Sequence, residues 1–462
     1  MEQDDSQTKM SRRSFVPGAG TALAAFSILP RHVLGGAAYK PPSEKLNIAG
    51  VGVGGMGANY LRNCESENIV ALCDVDDTYA AKTFARYPGA RTYRDFRVML
   101  EKEKSIDAVV IGTPDHTHAV VAMAAMRLGK HVYCAKPMTR TIYEARQLAK
   151  AAREAKVATQ MSVQSCASDA ACSTAEWVQA GAVGAVREVH VWTDRPIWPQ
   201  GLARPEDSFV VPSTLDWDLW LGPAPRRPYH PIYHPFNFRG WYDFGTGALG
   251  DMACHSFHVI FRALKLGYPT RVHACSTLVA QPALDMNEGR IRVRSRKTRL
   301  AETFPHSSVV TWDFPARGGL PPVRMHWYEG GLKPPRPLEL EAERPLPDAG
   351  LIFVGDKGVL WSGFSGGPSV VPEAKNKAYT PPPKTTPRTI GHYQEWIAAA
   401  KGGPSPNCNF DFGSLLTEAA LLGVVATRTG KQLDWDAEAM RITNDAEANQ
   451  YVNEPHRSGW SL

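Results

Sequence analysis

The sequence predicts an α/β fold in two parts: a parallel sheet wound with helices, followed by an α/β domain on an open, mainly antiparallel sheet. Three observations predict it. A strand-like run ending in glycines, Lys45-Leu46-Asn47-Ile48-Ala49-Gly50-Val51-Gly52-Val53-Gly54-Gly55-Met56-Gly57, passes into a helix-like one. Apolar strand and helix patterns then alternate as far as about residue 165. From Val186 onward the strands become short and of mixed polarity.

A chain of 462 residues exceeds one ordinary core, so two domains are expected. Hydrophobic residues make up 43% and charged residues 21%, and with a mean hydropathy of −0.28 this excludes a multi-span membrane protein. The net charge of +6 is spread along the chain. No basic block with interleaved aromatics marks a nucleic-acid face.

Residues 1–38 read as an address. Ser11-Arg12-Arg13-Ser14-Phe15-Val16 is a twin-arginine pattern, and a mildly apolar stretch from Ala19 to Leu29 and the small residues Gly35-Gly36-Ala37-Ala38 follow it. The stretch is too short for a usual spanning helix, so no stable membrane span is expected once the segment is cleaved. An ordinary amphipathic N-terminus is the plainer alternative. The pattern predicts a periplasmic or otherwise exported protein that folds around its cofactor before crossing. Eight cysteines contain no C-x-x-C pair and no regular spacing, so they are expected to be buried small apolar residues.

Residues 44–165 form the first predicted domain. Gly52, Gly54 and Gly57 make G-x-G-x-x-G, a pattern that alone is common by chance. Context gives it weight: a second apolar run, Ile69-Val70-Ala71-Leu72-Cys73, ends in Asp74 at close to the spacing of an acid that grips a ribose. Such glycines let the backbone approach a pyrophosphate at a helix N-terminus, with Met56 beside it, which predicts a Rossmann dinucleotide site. Asp74 favours NAD over NADP, because it accepts from a free 2′-hydroxyl and repels a 2′-phosphate. The strand Ile106–Ile111, a helix from Ala119 to Leu128, the strand His131–Cys134, a helix from Ile142 to Lys156 and the strand Val157–Met161 complete the rhythm. Ligands of such sheets sit beyond the carboxyl ends of the strands, which puts Thr113, Pro114, Asp115, His118, Lys136 and Gln164 on the cofactor side.

Residues 166–440 form the second predicted domain, with strands at Val186–Trp192, Ser308–Trp312 and Val323–Trp327, and residues 441–462 a tail. Proline-rich stretches near 195–235 and 366–388 read as long loops. Within the domain, Gly245 to His258 opens an apolar helix that carries Asp251, His255, His258 and Arg262 on one face. A solvated stripe is one reading of that face. The other is chemical: a carboxylate one turn before a histidine fixes its tautomer and raises its basicity, as a hydroxyl-deprotonating base needs. A metal on Asp251, His255 and His258 is disfavoured, since such a row seldom converges on one ion, and no metal is expected. Aromatics from Trp192 to Trp241 offer a stacking surface for a pyranose or serve as core anchors.

The glycine turn, Gly112-Thr113-Pro114-Asp115-His116-Thr117-His118, Gly129-Lys130-His131-Val132-Tyr133-Cys134-Ala135-Lys136-Pro137 and Asp251-x-x-x-His255 together resemble the glucose-fructose oxidoreductase, inositol dehydrogenase and rhizopine-catabolism (Gfo/Idh/MocA) family. The likeness extends to the helix from Leu415 to Arg428 and to the tail. It implies NAD or NADP held at the glycine turn, an open sheet that often mediates oligomers and so a homo-oligomer, and a lysine, an aspartate and a histidine around a sugar or cyclitol hydroxyl. These fall on Lys136, Asp251 and His255, with Lys136, Trp241 and His258 as substrate contacts. Two departures stand out: Ala135 replaces the family's usual glutamate, and His258 an aspartate frequent among relatives.

The expected reaction is hydride transfer to and from a sugar or cyclitol carbinol, with His255 as base, Asp251 orienting it and Lys136 stabilising the oxygen. Outside the cytoplasm no free nicotinamide pool turns a dehydrogenase over, so tightly bound NAD is expected, recycled within one catalytic cycle or by a second sugar. An NAD-dependent glycoside hydrolase, working by oxidation, elimination, hydration and re-reduction, meets the same constraint. An inactive sugar-binding relative is the third reading.

Overall fold

The computed structural model describes residues 44–287, 290–363 and 367–462. The expected export segment lies outside them. Strands β1 (Asn47–Val51), β2 (Asn68–Cys73), β3 (Arg91–Tyr93), β4 (Ala108–Ile111), β5 (His131–Cys134) and β6 (Thr159–Met161) form one sheet in the order β3-β2-β1-β4-β5-β6. Every pairing in it is parallel. This is the doubly wound order whose direction reverses between β1 and β4, and the crevice above that reversal is where such sheets bind ligands.

The strands are apolar throughout because both faces are covered. Helices α1 (Met56–Arg62), α2 (Asp77–Arg86), α3 (Phe96–Lys102), α4 (Asp115–Arg127) and α5 (Ile142–Ala155) come from the crossovers. Ala49, Val109, Ile111 and Val132 pack into the larger core with α4 and α5. The opposite face, with Ile48, Leu72, Val110 and Tyr133, is closed from far along the chain by Tyr393, Trp396 and Ile397.

The chain continues through α6 (Asp169–Gln179), β7 (Val186–Trp192), α7 (Trp217–Leu221), α8 (Gly247–Leu264), β8 (Arg271–Ser276), β9 (Val279–Asn287), β10 (Arg290–Thr298), β11 (Ser308–Phe314), β12 (Val323–Glu329), β13 (Gly350–Gly355), β14 (Gly358–Ser362), β15 (Pro368–Val371), α9 (Glu373–Ala378), α10 (His392–Ala400), α11 (Phe410–Thr429), β16 (Leu433–Asp436) and β17 (Arg441–Ile442). Nine of these strands form the second sheet in the order β15-β14-β13-β7-β12-β11-β8-β16-β17, antiparallel apart from the β7–β12 pair. Alternation sends Val189, Val191, Val310, Trp312, Met325 and Trp327 against α8 and α11. The Trp312 indole donates to the Ala419 carbonyl at 2.9 Å. By length and composition α11 could cross a membrane, yet 78% of that stretch is buried inside the protein, as befits a core helix.

The loop between β7 and α8 holds an aromatic cluster of Trp220, Tyr233, Phe238, Trp241 and Phe244. One sequence expectation fails here: seven cysteines are buried, but Cys275 on β8 is exposed.

Candidate active site

Each glycine of the turn after β1 answers a steric demand. Gly52 has φ +73°, and a Cβ on it would sit 2.5 Å from the Thr113 nitrogen. A Cβ on Gly54 would strike the Tyr79 ring at 2.2 Å, and one on Gly57 would lie 2.1 Å from the Gly52 carbonyl oxygen. The turn can therefore fold back on itself and bring α1 against β4 only without side chains there.

Asp74, buried at the end of β2, braces this turn. Its Oδ2 accepts from the Val53 and Gly54 N–H groups at 2.7 and 2.9 Å, and its Oδ1 from Asp76 N–H at 3.1 Å. Burial pushes its carboxyl up to about 6 against the pull of those three donors. Oδ1, with one donor only, retains capacity for a ribose hydroxyl.

A cavity of about 420 Å³ opens above the strand reversal and takes in the glycine turn, Asp74, Thr113, Lys136, Asp251 and His255. Met56, half exposed, Pro114, His118 and Gln164 also line it, and the Gln164 amide donates to Tyr393 Oη at 3.2 Å. Two features fit a dinucleotide: the N-cap of α1 has no side-chain bond to its first-turn N–H groups, and the buried Thr113 Oγ1 is without a partner.

Lys136, beyond β5, reaches across to α8. Its Nζ donates to the Asp251 carbonyl at 2.6 Å and to Asp251 Oδ1 at 2.8 Å, and Arg239 Nε donates to the same Oδ1 at 3.0 Å. Burial pushes the Asp251 carboxyl up, but the charges of Lys136 and Arg239 and their hydrogen bonds outweigh it and hold it far below the usual carboxylate range. The expected pairing of Asp251 with His255 is thereby corrected: Oδ1 serves two cations, and among the described residues no hydrogen bond joins the carboxylate to His255, on which it acts by its charge alone. His255, one turn further on, faces the cavity. Burial first and the Lys136 charge second push its imidazole down to about 3, so it is uncharged at neutral pH, and the raised basicity expected from a neighbouring carboxylate is not what the cavity gives it.

Three further expectations are revised. His118 lines the cavity, but its ring nitrogens lie 2.9 and 2.8 Å from the Pro137 and Thr113 carbonyls, so its N–H is bonded to the protein and both nitrogens are turned to the loops and away from a cofactor. His258 shares the angular face of Asp251 but sits two turns further along α8, roughly 10 Å by helical rise. It is buried against Cys166 and does not line the cavity. Trp241 is fully buried, edge-on to Tyr233 at 4.8 Å, and is a core anchor without access to the cavity. Trp198 and Trp220 are the tryptophans of that region in the cavity wall, with Trp460 from the tail.

Arg239 is the functional residue that sequence reasoning misses. Its guanidinium lies over Phe236 and Phe238 at 4.8 and 4.6 Å, a position set by the aromatic loop. Ala135, at the family's glutamate position, is buried with its small side chain in the cavity wall.

Comparison with known proteins follows the same division. The model described as "Oxidoreductase family, NAD-binding Rossmann fold" matches residues 46–163, and that of the same family's C-terminal α/β domain matches 195–267 and 340–462. Inositol 2-dehydrogenase 2 of Saccharopolyspora erythraea is 35% identical over 100 residues, 21% of this chain and 29% of that protein. A glycosyl hydrolase family 109 protein of Stenotrophomonas maltophilia is 33% identical over 138 residues, 27% of this chain and 29% of that protein. The match thus spans under a third of the length of these two curated relatives. Among solved structures, the WlbA dehydrogenase from Bordetella pertussis in complex with NADH and UDP-GlcNAcA superposes with a TM-score of 0.54 at 19% identity, covering 85% of this chain and 99% of that one. It shares the fold.

Proposed function

Because the chain belongs to the Gfo/Idh/MocA oxidoreductase family, with an NAD-binding Rossmann domain and the family's C-terminal α/β domain, we propose that it moves a hydride to and from a carbinol carbon of a sugar or cyclitol. The observation that carries this reading is the shared cavity: the glycine turn and the Lys136–Asp251–Arg239 cluster with His255 face one volume. Bound at the glycine turn, a nicotinamide dinucleotide supplies the hydride acceptor. The Lys136 ammonium, held by Asp251, donates a hydrogen bond to the reacting hydroxyl and makes its proton more acidic. His255, which lines the same cavity, takes that proton as the C–H bond breaks. Arg239 keeps Asp251 ionised whether or not the lysine turns towards substrate.

NAD is favoured over NADP, since a 2′-phosphate would meet Asp74, while Arg94, a cation lining the same cavity, is paired with Asp77. Arg12 and Arg13 support export by the twin-arginine route, and hence a cofactor held through the cycle. A homo-oligomer, which the family resemblance implies, is part of the same proposal.

The experiment is direct. Nucleotide released from the denatured protein is identified, and absorbance is followed as sugars and cyclitols are added. Persistent reduced nicotinamide supports oxidation. A released aglycone without net reduction supports the glycosidase reading, which the family 109 relative favours. Failure to hold any nucleotide after reconstitution refutes both and leaves the inactive sugar binder. Changing Arg12 and Arg13 to lysine should trap folded, loaded protein in the cytoplasm; undiminished periplasmic accumulation refutes the export reading.

A further inference from the structure

We propose that Glu188, His190 and His326 bind one divalent transition-metal ion of the zinc type, on the face of the second sheet turned away from α8 and α11. Strand alternation builds the site. Val189 and Val191 of β7 and Met325 and Trp327 of β12 point into the core, so Glu188, His190 and His326 point to the other face. The two strands are the sheet's one parallel pair, and their register sets His326 directly beside His190.

The donor atoms converge. One ligand atom from each residue lies within 4.8 Å of the other two. His190 Nε2 and His326 Nε2 both lie against Glu188 Oε1, at 3.3 and 3.1 Å. Bonds of about 2.0–2.2 Å at tetrahedral angles require ligand–ligand edges of about 3.3–3.5 Å, and the two histidine–carboxylate edges are already near that length. The imidazole rings are stacked at 5.1 Å with 14° between planes and present the same edge.

The outer contacts suit ligation. His190 Nδ1 lies 3.1 Å from Tyr328 Oη and His326 Nδ1 lies 2.9 Å from Thr311 Oγ1. With each Nδ1–H donating to a hydroxyl oxygen, the Nε2 lone pairs are free to bind metal, the usual tautomer of a ligating histidine. The cation beside the group, Arg324, is drawn off by Asp313 at 2.7 Å. Glu188 remains 43% exposed, which leaves an entry path and a fourth position for water. Without metal, the imidazoles would instead donate both Nε2–H groups to Glu188.

None of the three residues lines the cavity, so the ion would clip β7 to β12 and act on stability. The test uses full-length protein without a polyhistidine tag, stripped by chelator and titrated with Co²⁺ and then Zn²⁺. Expected are one Co²⁺ per chain with the visible absorption of tetrahedral cobalt, its displacement by Zn²⁺, and a thermal midpoint that rises with Zn²⁺. His326→Ala and the shape-preserving Glu188→Gln should each weaken binding by at least about tenfold and abolish the midpoint shift. Absence of binding to the wild type, or binding unchanged in both variants, overturns the proposal. So does binding that is lost in Cys275→Ser, the exposed thiol on nearby β8, and kept in the other two.

Discussion

Replacing Lys136 by methionine and Asp251 by asparagine, singly and together, asks which partner the aspartate serves. The two groups meet at 2.8 Å with side chains only 15% and 11% exposed. Their gross attraction at that distance is about 6 kcal/mol for an effective dielectric near 20. Desolvation of both ions offsets most of it, so the pair contributes through position more than through net stability. Arg239 keeps Asp251 compensated when the lysine is lost, and Lys136→Met should fold. Loss of a donor aimed at the reacting oxygen is expected to lower kcat/KM by about 10²–10³. Asp251→Asn should lower it by about 10–10², since the lysine is kept but no longer fixed. If Asp251 acts by placing Lys136, the double variant falls no further than Lys136→Met, within about threefold, because one stabilisation can be lost only once. Asp251→Asn in a His255→Ala background should then be close to additive. Steady-state and single-turnover hydride transfer with a verified substrate measure both cycles. Multiplied losses in the Lys136 cycle, with non-additivity in the His255 cycle, would refute this reasoning and restore Asp251 as the orienter of His255.

Gly57→Ala forces a Cβ to 2.1 Å from the Gly52 carbonyl, so α1 must retreat by about 1 Å. NAD affinity measured by calorimetry should fall by about tenfold or more, and unchanged affinity would show that the close approach is not needed. Glu329 is buried at the end of β12, and desolvation pushes its carboxyl up to about 7 despite donors on Ser308 and Trp327. The folded state thus holds a proton that the unfolded chain releases near 4.5. Its contribution is complete below that pH and fades as pH rises to about 7, by up to about 3 kcal/mol. Urea midpoints for Glu329→Gln should lose that decline between pH 5 and 7.5, and an unaltered slope refutes the assignment. Cys275 alone among the eight cysteines should react rapidly with a thiol reagent in native protein, while several fast thiols would contradict the burial of the others.

The first domain is readable from sequence because a parallel sheet covered on both faces needs continuously apolar strands, and because a pyrophosphate turn needs glycines at fixed spacing. Ile106–Ile111 and Gly52–Gly57 carry both signals without reference to the rest of the chain. What escapes the sequence depends on partners brought in from a distance. Tyr393, Trp396 and Ile397 are an apolar helix face like many others, and nothing local says that they close the far side of the Rossmann sheet. Arg239 lies in an aromatic loop, and only the fold carries it to Asp251. The helical wheel places His258 with Asp251 because it keeps the angle and discards the rise, and the rise is what removes His258 from the cavity. Trp241 fails differently, since in an irregular loop no periodicity fixes which way an indole points. The Glu188, His190 and His326 group combines both difficulties. The alternation of β7 sets two of its donors on one face, yet the third arrives only through a parallel pairing across more than a hundred residues of chain, in a sheet whose other strands run antiparallel. Local chemistry is therefore legible where one segment supplies every atom that the chemistry needs. Where two segments must meet, the sequence names the groups and the topology decides what they do.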